Sequence, residues 1–91
     1  MKHKRYVKGE SNAKDSLKFR VVNKKLDGCV GQCYPGWRTL EIDPRQCPKD
    51  YLDTLIHEAI HEIFPKMKEP KVLRSATSIT NLLWRLGYRK N

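Results

Sequence analysis

The chain has 91 residues and a formal net charge of +9, from 19 Lys and Arg against 10 Asp and Glu. That length makes one domain, spanning residues 1–91, and a domain this small buries only about 60–65% of the surface its unfolded chain exposes, so a bound metal would add materially to its stability. No apolar run approaches the roughly 18 residues of a membrane span, and the opening MKHKRYVKGE lacks the apolar segment of a secretion signal, so a soluble, cytoplasmic protein is expected.

Charge is distributed as basic ends around an acidic middle. Residues 1–25 carry nine Lys and Arg against Glu10 and Asp15; residues 26–65 carry three against seven acids; residues 66–91 carry seven against Glu69. Such ends could contact nucleic acid or an acidic protein, or could simply be a solvated surface. Residues 1–10 read as a basic tail. In LKFRVV, Leu17 to Val22, the β-branched and aromatic content predicts a first strand. The glycine-rich LDGCVGQCYPGW reads as a turn. WRTLEID, Trp37 to Asp43, alternates again, with Thr39, Glu41 and Asp43 on one side and Leu40 and Ile42 on the other, which predicts a second strand antiparallel to the first. Cys29, Cys33 and Cys47 cannot all pair within one chain, so reduced thiols are expected.

Pro48 suits the first position of a helix with Cys47 as its N-cap, and Asp50 meets the positive end of the helix dipole. The helix should stop near Phe64, because Pro65 disfavours helical geometry in the residue before it. A second helix is expected from Pro70 to about residue 86, closed by Gly87. Small strands near 17–22 and 37–43 packed on helices at about 48–64 and 70–86 define an α+β domain.

The first helix carries TLIHEAIHEIF. At about 100° per residue, Leu52, Leu55, Ile56, Ala59, Ile60 and Ile63 fall in one arc roughly 140° wide. Thr54, His57, Glu58 and His61 fall on the opposite side, so the histidines are not on the apolar stripe. Residues four apart stand one above the other on a helix, and two imidazoles so placed can converge on one zinc ion at about 2.0–2.1 Å. Glu58 sits on the same face, within reach of a water at an open coordination position. HEAIH is thus the HExxH pattern, which composition alone produces in roughly a few per thousand chains of this length. The bland alternative is two exposed histidines without a role.

A catalytic zinc takes a third protein ligand. His3 is the only other histidine, and downstream of His61 the acids are Glu62 and Glu69. Glu69 is the best candidate, although about 12 Å of straight helix would separate it from His61, so the chain must reverse through FPKMKEP. Glu69 can equally be read as an acidic residue favoured at a helix N-terminus. Cys29 and Cys33 are a further ligand pair to consider, against a turn with incidental cysteines.

From Thr39 to Tyr88 the sequence resembles the zincin metallopeptidases, in particular small single-domain HExxH proteins of phages and bacteria near the SprT-like and ImmA/IrrE-like groups. The resemblance rests on TLEID, TLIHEAIHEIFP and EPKVLRSATSITNLLWRLGY. It implies a minimal zincin-like domain with one zinc held by His57, His61 and Glu69, and Glu58 as general base for peptide-bond hydrolysis. SprT-like proteins use a later histidine as third ligand, and this sequence has none. The resemblance also implies an edge strand, WRTLEID, that would pair with an extended protein or peptide substrate. Tyr34, Tyr51, Tyr88 and several arginines are candidate oxyanion stabilisers. Two other classes are weighed: a non-catalytic, zinc-containing basic module that binds nucleic acid or an acidic protein, and a metallohydrolase acting on a non-peptide amide or ester.

Overall fold

The computed structural model of the chain describes residues 18–89. His3, Leu17 and the basic segment 1–10 lie outside the described residues. The elements are β1 (Arg20–Asn23), β2 (Gly31–Tyr34), β3 (Thr39–Ile42), α1 (Pro48–Ile63) and α2 (Glu69–Arg85). They form an α+β fold in which α1 packs both on the sheet and on α2.

The two predicted strands pair, but in parallel, with Arg20 level with Thr39 and Asn23 level with Ile42. An additional strand explains the difference. Gly31–Tyr34, inside the segment read as a turn, pairs antiparallel with β3, from Gly31 opposite Ile42 to Tyr34 opposite Thr39. The chain therefore reverses twice between β1 and β3, and two reversals restore the original direction. The hairpin closes with the Trp37 N–H donating to the Tyr34 carbonyl at 2.9 Å, and Gly36 and Arg38 take positive φ. The strand order β1-β3-β2 makes β3 central. WRTLEID is thus not an edge strand, and among the described residues β1 and β2 form the sheet's edges.

Alternation along β3 turns Leu40 and Ile42 into the core, where both are fully buried. Asp43, which alternation puts on the other side with Thr39 and Glu41, is only 3% exposed. Its carboxylate accepts the Leu26 N–H at 3.0 Å, the Arg45 N–H at 3.0 Å and the Arg45 Nε–H at 2.9 Å. This cluster fixes the corner between the sheet and α1. The Arg45 guanidinium, then the Leu26 and Arg45 backbone N–H groups, hold the Asp43 carboxyl well below the usual carboxylate range.

Helix ends follow the local chemistry. Cys47 occupies the N-cap of α1 in extended geometry ahead of Pro48, without a side-chain capping bond. Its thiol instead lies 3.0 Å from Asp50 Oδ2. Phe64 leaves the helical region directly before Pro65. At the far end of α2, the Gly87 N–H donates to the Trp84 carbonyl and the Tyr88 N–H to that of Leu83, with Gly87 at φ +91°. That is a Schellman C-cap, with glycine where a Cβ would be strained.

Packing departs from the simple wheels. α1 lies between two partners, so its residues from Tyr51 to Ala59 are all half-buried and Ile60 is the one buried within it. Ile60 joins Val72 and Ala76 in the core, with Ile56 and Met67 against them, while Ile63 is exposed. On α2 the buried stripe is Val72, Ala76 and Thr80, while Ile79 and Leu86 are 41% and 62% exposed. Thr80 is admitted because its hydroxyl reaches Asp53 Oδ1 on α1 at 3.4 Å.

Candidate metal centre

His57 and His61 stand one turn apart on α1, and the Phe64–Lys68 reversal returns the chain so that Glu69, the first residue of α2, faces them. The Met67 N–H donates to the Phe64 carbonyl at 3.0 Å within that reversal. The Nε2 atoms of His57 and His61 are 3.2 Å apart. Glu69 Oε1 lies 2.8 Å from His61 Nε2, and Oε2 lies 3.1 Å from His57 Nε2. The imidazole side chains are 17% and 28% exposed and the carboxylate 54%, so Glu69 covers the solvent side of the pair.

These three residues could hold a metal ion. A tetrahedral ion bound at about 2.0–2.1 Å places its ligand atoms roughly 3.3–3.4 Å apart, so opening this triangle by about 0.1–0.6 Å would seat it. Two imidazole nitrogens and one carboxylate are also the donor types that zinc accepts. Glu69 remains an N-terminal acid of α2 as well, because the same position serves both readings.

Glu58 faces β2. A Cβ placed on Gly31 would come within 3.1 Å of Glu58 Cγ and 2.5 Å of Thr54 Cγ2, so only glycine lets the strand pass this close to the helix. The face carrying Thr54 and Glu58, expected opposite the core, is therefore covered by the sheet's β2 edge. His57 and Glu58 line one cavity of about 370 Å³ together with Gly31, Thr54 and, from α2, Leu73.

Cys33 lies beside Glu58. Burial first, then the Glu58 and Glu62 carboxylates, push its thiol up to about 11, and the thiol hydrogen-bonds Glu58. Neither Cys33 nor Cys29 belongs to the His57–His61–Glu69 group among the described residues. All three cysteines are free. The candidate oxyanion tyrosines are not brought to the cavity. Tyr34 donates to Glu41 Oε1 at 3.0 Å, Tyr51 donates to Asn23 Oδ1 at 2.5 Å, and Tyr88 lines a separate crevice with Leu83 and Trp84.

Two residues gain roles that the sequence reading did not assign. Glu62 Oε2 accepts the backbone N–H groups of Gly36 at 3.0 Å and Arg38 at 3.3 Å, tying the β2–β3 hairpin to α1. Thr54, Glu58 and Glu62 recur every four residues, so a row of side chains along one helix face was legible, but not the strand that it meets. Gly31 sets how close that strand comes.

Comparison with family models, curated proteins and solved structures finds no match to this chain.

Proposed function

We propose that this chain is a zinc-dependent metallopeptidase acting on a protein or peptide in the cytoplasm. The observation that carries the reading is the convergence of His57, His61 and Glu69 at 2.8–3.2 Å, with Glu58 lining the same cavity as His57. Bound zinc would polarise a scissile carbonyl and lower the pKa of an adjacent water. Glu58 would take a proton from a water as its oxygen adds to the scissile carbonyl, and would pass that proton to the amine released when the C–N bond breaks.

Substrate pairing falls to β2 in place of β3. The Asp43 N–H donates to the Val30 carbonyl at 2.9 Å, which with the register makes Val30, Gln32 and Tyr34 the bonded positions. The N–H and C=O groups of Gly31 and Cys33 therefore point away from β3, and an extended peptide adding there would run beside Glu58. Main-chain pairing gives affinity with little side-chain selectivity.

A structural zinc in a non-catalytic module takes four protein ligands, and the described residues bring three together, which favours a site with an open position. The test is elemental analysis joined to peptide cleavage. One zinc per chain is expected, lost in His57→Ala, bound at least about 100-fold more weakly in Glu69→Ala, and retained in Glu58→Gln. Cleavage of a peptide library should disappear in Glu58→Gln. Wild-type protein that takes up no zinc after refolding with metal would refute the reading, and cleavage that survives Glu58→Gln would remove Glu58 as the base.

A further inference from the structure

A groove of about 730 Å³ at the turn between α1 and α2 is larger than the concavity beside the metal centre, which is about 370 Å³. Apolar side chains line it: Ile63 and Phe64 at the end of α1, Met67 in the turn and Pro70 in the first turn of α2. Ile63 is 48% and Phe64 53% exposed, which is much apolar surface for the end of a helix. Lys66, Lys68, Lys71 and Arg74 line the groove as well, and no acidic side chain does. None of the four cations has an ion-pair partner among the described residues. Glu69, the one acid of this stretch, is turned to the other side of the chain, onto the two histidines.

We propose that this groove docks an acidic protein segment that carries large apolar side chains. The cations select negative charge and speed encounter, and the apolar side chains take a phenylalanine or leucine out of water. Both features are needed to define the partner. A phosphate backbone would match the cations and leave the apolar side chains unused. The chain's own residues 1–17 carry five Lys and Arg against two acids, so their charge opposes self-occupancy. The groove requires no metal, and the inference stands apart from the peptidase reading.

The experiment is fluorescence anisotropy on the full chain with a fluorescein-labelled peptide alternating aspartate with phenylalanine and leucine. Two control peptides replace either every aspartate by asparagine or every apolar residue by serine. Binding to the acidic apolar peptide is expected, with both controls weaker by about tenfold or more. Lys71→Glu/Arg74→Glu should weaken binding by a similar factor, and Phe64→Ser should do so without the change in salt dependence. These side chains are exposed, and circular dichroism of each variant verifies the fold. Equal binding of the asparagine peptide, indifference to either variant, or tighter binding to phosphatidylglycerol vesicles or duplex DNA would overturn the proposal. So would self-association through this face in sedimentation experiments. Zinc removal should leave the peptide affinity unchanged, so failure here and failure of the peptidase reading are separate results.

Discussion

Gly31→Ala puts the junction between β2 and α1 to a direct test. The added methyl would lie 2.5 Å from Thr54 Cγ2 and 3.1 Å from Glu58 Cγ, where carbon atoms at rest stand about 3.5–4.0 Å apart. Gly31 does not have positive φ, so the cost is steric and not conformational. Either β2 retreats by about 1 Å or Thr54 leaves its rotamer, where its hydroxyl donates to Gln46 Oε1 at 2.7 Å. Overpacking of this kind costs about 1–3 kcal/mol. In a domain of this size, each kcal/mol lowers the melting temperature by roughly 4–8 °C. Urea denaturation monitored by circular dichroism measures the change. The discriminating partner is Thr54→Ser, which removes the methyl that clashes and keeps the hydroxyl. In the double variant at least about 1 kcal/mol of the loss should be recovered relative to additivity. Zinc content should persist, because His57, His61 and Glu69 lie outside the contact. A Gly31→Ala protein within about 0.5 kcal/mol of wild type, or strict additivity with Thr54→Ser, would refute the close approach.

Asp43 predicts an acid limb in stability. Its folded-state pKa is depressed, so its contribution is fully present above the unfolded value of about 3.9 and is lost as pH falls through the folded value. Asp43→Asn should therefore be less stable than wild type at neutral pH, with the difference shrinking as pH falls below about 4; a constant difference across denaturation curves at several pH values would contradict this. Glu62→Ala removes the acceptor for the Gly36 and Arg38 N–H groups and should cost about 1–3 kcal/mol, with faster amide exchange at those two residues as its local signature. Gly87→Ala forces a Cβ into the left-handed region at φ +91° and should cost about 1 kcal/mol, which thermal unfolding would register as a lower midpoint.

What the sequence determined by itself was local. Pro48, Pro65, Pro70 and Gly87 bound the two helices, since each acts through its own φ or missing N–H on the adjacent turn. The four-residue interval that brings His57 and His61 together is likewise a property of one helix. Proximity of Glu69 was legible as a possibility, because two prolines separated by a few residues imply a reversal, but its distance to the imidazoles depends on how α2 packs against α1. Tertiary structure alone decided the rest. β2 carries glycine and cysteine where a strand signal needs β-branched residues, and it exists because β3 supplies its hydrogen bonds. That pairing made β1 and β3 parallel, moved the sheet edge from Thr39–Ile42 to Gly31–Tyr34, and laid a strand over Glu58. The same packing on two sides replaced the single apolar arc of α1 by a helix half-buried all round. It also drew Asp43 and Thr80 inward, where partners 17 and 27 residues away in the chain satisfy them. A wheel or an alternation pattern sees one element, whereas burial is decided by whichever neighbours the whole chain brings to it.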